Sequence, residues 1–436
     1  MTQSSRREAL IEADVKPRTN NQLLIVGLNY SPEVTGIAPY TTALASDLQR
    51  RGNEVKVITG FPHYPAWKID SNYHGHTFHE RIGNVSVRRV RQFTPRSPSN
   101  LTRLLLELSF GIRAVLSSWG QPYGIICVSP SLISAGLVVV KARLRRNKIP
   151  VGIVVQDLYS LGLAETTSSK SPAALFMTKL ESAILRRAIE VSVIHEQFKI
   201  HLVDSLGLKS DRISVNTNWT HLKQTPTTDP AAARRNFGWR CDEIVVLHAG
   251  NMGVKQGLEN VVEAARLSDA DNSNSVKFCL LGNGNQRERL QELAEGVASI
   301  QFIDSLSDAD YRAALGAADV LLVNEKIGIS EMSVPSKLTS YFSSGRPVLA
   351  AVASAGNTAS EIRRSGGGVI VRPGCPEELL DAVKNLVADQ SRCRDLSAAA
   401  LSYSQTHLNE VSALNNYAEW VAKLVRTSRD AYEQSN

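Results

Sequence analysis

Hydrophobic positions along this chain fall into two rhythms that take turns. Short strand-length runs, some wholly apolar and some alternating apolar with polar, sit at residues 23–28, 54–59, 85–90, 124–129, 150–155, 191–194 and 213–215. Six more centre near Val245, Phe278, Ile300, Val320, Val348 and Val369. Each has the length and composition of a buried strand. Between them lie stretches with helical spacing, at 39–51, 101–118, 173–188, 198–206, 377–387 and 394–404, and another passing through Val140 and Arg146. A last helix is expected over 411–425. Strands alternating with helices imply right-handed crossovers and a parallel sheet. The alternation runs twice, and Pro226, Pro230 and several threonines mark a linker between the two halves. The pattern divides the chain into a polar tail (1–21), a first domain (22–224), a linker (225–230), a second domain (231–407) and a terminal helix (408–436). The expected fold class is α/β, with two doubly wound domains facing a cleft. No internal repeat is detectable.

Composition narrows the class. At 436 residues, 43% hydrophobic and 21% charged, each half has enough apolar residues for its own core. The five cysteines are scattered and form no CxxC pair. That argues against a structural zinc site or a disulfide framework, and suits a reducing cytoplasm. The net charge of +7 favours acidic partners: nucleic acid, anionic lipid or phosphorylated substrates. It also fits a mildly basic enzyme with none of these. No nucleic-acid motif accompanies the charge, so nucleic acid is not an expected partner. Residues 1–21 contain no apolar segment of a secretory signal. No apolar run reaches the ~20 residues of a membrane span. The nearest, 132–140, stops at Lys141 and reads as a buried helix.

The chemistry concentrates at strand ends. The run Ile244-Val245-Val246-Leu247 breaks at Gly250-Asn251-Met252-Gly253, followed by Lys255-Gln256-Gly257. A helix then carries Leu258, Val261, Val262 and Ala265 on one face. A glycine turn lets backbone approach a phosphate, a helix start offers N–H groups, and Lys255 adds a full charge. The same residues also suit an ordinary strand–helix turn. A second strand, 276–281, leads into Gly282-Asn283-Gly284 with Arg287 nearby. A third segment runs Pro335-Ser336-Lys337-Leu338 to Gly345-Arg346-Pro347-Val348.

In order and spacing, these three segments resemble the donor-binding half of glycosyltransferase family 4, which has the GT-B fold. The match covers about residues 244–385. The opening loop Asn29-Tyr30-Ser31-Pro32-Glu33-Val34-Thr35-Gly36-Ile37-Ala38 resembles the family too, as does Asn218-Trp219 near the end of the first domain. The resemblance implies that Gly36 lies against donor phosphate and acceptor, and that the last helix crosses back onto the first domain. It implies a nucleotide-sugar donor held by Gly36, Asn251, Lys255, Gly282, Asn283, Gly284, Arg287, Ser336 and Lys337. Asp157 stands where a cleft residue of the first domain would stand. Lys255, Asp157 and Glu331 are the catalytic candidates. Glu33, His63 and Tyr64 are candidates for the acceptor, though a loop histidine is more often merely exposed.

The chain departs from the family in two places. Asn251 occupies the usual arginine position, so Lys337 or Arg287 is expected to supply that charge. The usual glutamate pair falls near Met332 and Ser340, neither of them acidic, while Glu331 is one residue away. The Pro335-Ser336-Lys337 segment resembles the branch that includes the colanic acid glycosyltransferases. The implied activity is a retaining sugar transfer to a lipid-linked or polysaccharide acceptor, in surface or exopolysaccharide synthesis. The alternatives are a non-catalytic sugar-nucleotide or polysaccharide-binding protein of the same fold, and a GT-B nucleotide-sugar epimerase. No paired DxD occurs in a suitable loop, so no metal or other cofactor is expected, with Lys255 meeting the leaving diphosphate.

One stretch suggests a membrane surface. Arg88, Arg89, Arg91, Arg96 and Arg103 precede and enter the helix at 101–118. There Leu101, Leu104, Leu105, Leu108, Ile112, Val115 and Leu116 form one apolar face, and Arg103, Glu107 and Arg113 the other. Leu106 and Phe110 fall on the charged face, either to enter a lipid surface or to be covered by another helix. The expected place is the cytoplasm, peripheral on the inner face of the cytoplasmic membrane.

Overall fold

The computed structural model describes residues 21–33, 36–64, 66–96, 99–160, 172–220, 229–271, 276–328 and 336–433. The first domain holds strands β1 (Gln22–Gly27), β2 (Glu54–Gly60), β3 (Thr77–Ile82), β4 (Val85–Val90), β5 (Gly124–Val128), β6 (Val151–Val155), β7 (Glu190–Val193) and β8 (Ile213–Val215). Its helices are α1 (Ala38–Arg50), α2 (Asn100–Leu116), α3 (Leu132–Leu144), α4 (Pro172–Leu185) and α5 (Glu196–Asp204). The sheet order is β3-β4-β2-β1-β5-β6-β7-β8. β5 and β6 are buried along their whole length, as a parallel sheet covered on both faces requires.

The edge strand β3 has no counterpart in the sequence reading. It pairs antiparallel with β4, and its residues are exposed or only half-buried, so no apolar run marks it. The available signal was Gly83-Asn84 between two strand-length runs, with Gly83 at φ 57°.

The second domain begins with α6 (Pro230–Phe237). It continues through β9 (Ile244–Ala249), α7 (Glu259–Ala270), β10 (Val276–Leu281), α8 (Arg287–Leu293), β11 (Ile300–Ile303), α9 (Asp308–Ala317) and β12 (Val320–Asn324). Then come α10 (Lys337–Ser343), β13 (Val348–Ala351), α11 (Asn357–Ser365), β14 (Gly368–Val371), α12 (Pro376–Ala388) and α13 (Gln390–His407). Its sheet is parallel throughout, in the order β11-β10-β9-β12-β13-β14.

In both sheets the chain runs outward from one central strand, then returns to that strand's other side. The reversal lies between β1 and β5, and between β9 and β12. Ligands of doubly wound sheets bind at such switch points, beyond the carboxyl ends of the strands. The loop carrying Gly36 leaves β1, and the glycine turn at Gly250 leaves β9.

The last helix, α14 (Glu410–Glu433), packs on the first domain. Trp420 lies so close over Gly152 that a Cβ there would sit 2.7 Å from the ring. Lys423 pairs with the buried Glu190 at 2.7 Å. Trp219 is buried, with its ring edge-on to Tyr40 at 5.1 Å and to Tyr417 of α14 at 6.3 Å. The Tyr40 side chain in turn lies against the Thr339 side chain on α10. Tyr40 opens α1 and Thr339 opens α10, so this contact joins the strand-end edges of the two domains.

Two expectations about the basic stretch are corrected. Leu106 and Phe110 are 3% and 0% exposed, so neither can enter a lipid surface. With Ala114 they form a buried stripe, and Gly111 brings α2 against α3, where a Cβ would lie 2.9 Å from the Ser134 Cα. The opposite stripe faces outward: Leu101 (68% exposed), Leu105 (46%), Leu108 (39%), Ile112 (44%) and Leu116 (80%). Arg89 is also fully buried. It pairs with Glu80, donates to the Gly60 and Ser31 carbonyls, and lies 5.0 Å from the Tyr73 ring centre. It clamps the β1 and β2 loops and takes no part in the surface.

Candidate active site

The glycine turn after β9 and the Gly282–Gly284 loop after β10 form one interlocked backbone unit. Gly250 N–H donates to Leu281 O and Met252 N–H to Asn283 O, both at 2.8 Å, and Gln286 N–H donates to Met252 O at 3.0 Å. A Cβ on Gly282 would lie 2.2 Å from the Gly250 carbonyl oxygen, and one on Gly284 2.3 Å from that of Met252. Gly282 adopts φ +124°. These glycines therefore have a packing reason besides any ligand.

The turn at 254–257 is fixed from below. Asn324, buried at the end of β12, donates to the Gln256 and Gly257 carbonyls at 2.8 and 3.0 Å, and accepts from Asn260. Lys326 N–H donates to Lys255 O at 2.8 Å. The Lys255 side chain is exposed on a single 3₁₀ turn, Val254–Gln256. The start of α7 is less open than its sequence suggests. The N–H groups of Asn260 and Val261 already donate to Gly257 and Leu258.

Of the two residues expected to replace the missing arginine, Lys337 lies beside the glycine turn and Arg287 is paired elsewhere. Arg287 donates to the Gly282 carbonyl and pairs with Asp304 at 2.6 Å, so it braces the loop. The Lys337 stem runs beside Gly250, where a Cβ would lie 3.6 Å from Nζ. Its Nζ is 3.2 Å from Nε2 of His248, a fully buried residue of β9. Burial, then the nearby Lys337, hold the His248 pKa well below the ordinary 6.5, so the ring is neutral. Asn251, Asn283 and Ser336 are exposed on the same rim. Ser340, one of the two glutamate positions, is buried, with the Tyr311 side chain beside it. Its side chain belongs to the core of α10 and offers nothing to a ligand.

On the first domain, Gly36 adopts φ +64° and packs beside the Tyr64 ring. Glu33 is committed to structure. Its Oε1 accepts from the His63 and Tyr64 N–H groups, both at 2.9 Å, and its Oε2 from Asn29. His63 is 4% exposed, with Nδ1 3.0 Å from the Phe61 carbonyl. Burial lowers its pKa, against the raising effect of Glu33. Tyr64 is 40% exposed and meets Trp67 edge-on, and Arg103 of α2 lies 5.4 Å from the Trp67 ring centre. Of the acceptor candidates, Tyr64 is the exposed one, and Glu33 and His63 are buried.

Asp157 is exposed at the end of β6, with its carboxylate accepting the Leu158 N–H at 2.9 Å. Two carboxyls missed in the sequence hold the segment behind it. Glu181 accepts from the Tyr159 and Ser160 N–H groups at 2.9 and 3.0 Å. Glu107 accepts from the Tyr159 hydroxyl and from Ile133 N–H. Burial raises Glu107 to about 8 and Glu181 to about 7. Glu107 read as part of a solvated helix face, and nothing in the sequence singled out Glu181. Glu331 and Met332 lie outside the described residues. Among the described residues no group of three or more His, Cys, Asp or Glu is placed to hold a metal ion.

Two doubly wound domains joined at their strand-end edges, with glycine loops at both switch points, have the architecture of the GT-B glycosyltransferases. Comparison with known proteins gives the family. Residues 35–219 match the family described as glycosyl transferase 4-like domain, and residues 243–389 that described as glycosyl transferases group 1. The chain is 32% identical over 337 residues to the putative colanic acid biosynthesis glycosyl transferase WcaI of Escherichia coli, covering 74% of this chain and 81% of the relative. The fold is similar to that of sucrose-phosphate synthase from Thermosynechococcus elongatus (18% identity, 93% and 99% of the two chains, TM-score 0.68). It is also similar to HepE of Anabaena in complex with UDP (14% identity, 92% and 99%, TM-score 0.66). The chain belongs to the family 4 glycosyltransferases of GT-B fold, and it is related to exopolysaccharide biosynthesis enzymes.

Proposed function

We propose that the protein moves a sugar from a nucleotide-sugar on the second domain to a lipid-linked saccharide presented by the first, with retention and without a metal. The observation that carries this reading is the interlocked Gly250–Gly253 and Gly282–Gly284 backbone, with Lys255 and Lys337 on its rim. In the transfer, the bond from the anomeric carbon to the diphosphate oxygen breaks. The acceptor oxygen bonds to that carbon and passes its proton to the departing diphosphate oxygen, on which negative charge gathers as the bond breaks. Cations already in place stabilise that charge without reorganising. Asp157, an exposed carboxylate at the end of β6, takes the role of orienting the incoming hydroxyl in this reading. Glu331 remains the candidate for the donor sugar's hydroxyls. Retention is carried over from the family resemblance.

The acceptor's membrane side is supported by the outward stripe of α2. Leu101, Leu105, Leu108, Ile112 and Leu116 are joined by exposed Val140 and Leu144 on α3, the helix packed against it, and by Leu175 and Phe176 on α4. Arg96, Arg103, Arg143, Arg146 and Lys148 are exposed nearby in the chain. Apolar insertion with about 1 kcal/mol per basic side chain at an anionic surface gives reversible attachment. No helix of the described residues is long and apolar enough to cross a membrane.

A thermal-shift panel of UDP-, GDP-, dTDP- and ADP-sugars tests the reading, followed by turnover with the best donor. One donor is expected to stabilise the protein, by about 2.7 kcal/mol at a hundredfold excess over Kd. Turnover is expected to survive EDTA. Failure of every donor refutes the site, and loss with EDTA reversed by manganese refutes metal independence.

A further inference from the structure

We propose that His248 is a positioning residue that aims the Lys337 ammonium at the donor diphosphate. The proposal rests on the donor site placed above. His248 stands in the middle of a parallel sheet, between β10 and β12, with Val246, Leu247 and Ala249 as strand neighbours. It is 0% exposed. An imidazole there carries a desolvation penalty that an apolar side chain would avoid; its buried Nδ1 has no hydrogen-bond partner among the described residues, so Nε2 is the atom that has one to offer. Its Nε2 lies 3.2 Å from Lys337 Nζ. An ammonium only donates, so Nε2 accepts, and the neutral ring carries its proton on Nδ1.

The lysine is held from two sides. His248 takes one of its three donors from below. Gly250, with no side chain, leaves room for the stem beside the turn, where a Cβ would lie 3.5 Å from Cε. A lysine stem has four rotatable carbons and loses much freedom when it is fixed on a ligand. A lysine fixed beforehand loses less on binding. Lys337 also opens α10, whose Thr339 meets Tyr40 of the first domain. The same helical turn thus holds the cation and the contact between domains. In this chain Asn251 stands where the family has arginine, which leaves Lys337 to bring positive charge to the turn.

The competing account is that the pair only anchors α10 to β9. The two differ in what they do to phosphate. Calorimetry is run on the full chain with UDP, GDP, dTDP and ADP and with the matching nucleosides. The proteins are wild type, His248→Ala, His248→Gln, Lys337→Ala and the His248→Ala/Lys337→Ala double variant. His248→Ala is expected to weaken the best diphosphate about tenfold, the effect of one hydrogen bond, while the nucleoside binds as before. His248→Gln, whose side-chain oxygen accepts, is expected to recover most of that loss. The double variant is expected to bind no worse than Lys337→Ala alone. Equal weakening of nucleoside and diphosphate, or full additivity in the double variant, overturns the proposal and leaves the donor site standing. If Lys337→Ala and wild type bind every diphosphate equally, or none binds at all, the donor placement itself falls. Melting curves identify any variant that fails to fold, and His248→Gln then carries the test.

Discussion

Lys255 is exposed on a turn whose backbone is held by Asn324 and Lys326, so its charge can be removed without disturbing what supports it. Lys255→Ala is expected to lower turnover about 10²–10³-fold, the effect of deleting one donor to a developing anion. Its melting temperature is expected to stay within about 2 °C, as for an exposed substitution. Wild-type turnover in this variant would remove the lysine from the diphosphate. Gly284 behaves oppositely. Its missing Cβ is occupied by the Met252 carbonyl, so Gly284→Ala is expected to cost about 1–3 kcal/mol of stability and to loosen nucleotide binding with it. Unchanged urea denaturation would show that the loops are not interlocked. Residues of this kind were partly legible. Glycines at strand ends can be read as GxG, but their function of letting two backbones touch cannot, because the partner loop is about thirty residues away. His248 was hidden for a simpler reason: within an apolar strand nothing marks a histidine as bonded to a lysine 89 positions later.

Helix α2 shows where periodicity misleads at the scale of an element. It carries two apolar stripes, and the longer one faces solvent. Gly111 was the clue to the true contact face, since a glycine in mid-helix commonly marks a close neighbour. The account expects Leu105→Ser/Leu108→Ser/Ile112→Ser to leave the fold intact and abolish sedimentation with anionic vesicles. Leu106→Ser, from the buried stripe, is expected to destabilise the protein instead, by about 2–5 kcal/mol as for a truncated core leucine. Retained sedimentation in the triple variant would contradict the surface assigned here. Glu107 on the same helix gives a pH signature. Its ordinary pKa is 4.5, and burial raises it to about 8. The folded state therefore binds more protons between those values, so stability contributed by the protonated group is full below about pH 4.5 and is lost as pH rises through about 8. Glu107→Gln removes this titration. In urea midpoints at pH 5 to 8, wild type is expected to lose ground steadily to the variant, and parallel curves would refute the buried, protonated carboxyl.

At the scale of the whole molecule, the alternation of strands and helices was the most legible feature, because parallel strands buried on both faces read as plain apolar runs. The edge strand β3 escaped because its residues are exposed or half-buried, unlike those of its partner β4. How the halves meet was legible only in the last helix, which the family resemblance carried back onto the first domain; the side chains that join them were not. Tyr40 against Thr339, and Trp219 between Tyr40 and Tyr417, join residues up to about three hundred positions apart. These contacts put the Gly36 loop and Lys337 each within one helical turn of the junction, so donor and acceptor sides come together only in the folded pair. The central claim is that the second domain's glycine loops hold the donor diphosphate. Hydrogen–deuterium exchange of the full chain, with and without the nucleoside diphosphate that stabilises it most, tests this directly. The account predicts new protection at residues 250–257, 282–287 and 336–339, lost in Lys337→Ala. Protection confined to other segments, or none with the ligand bound, would contradict it.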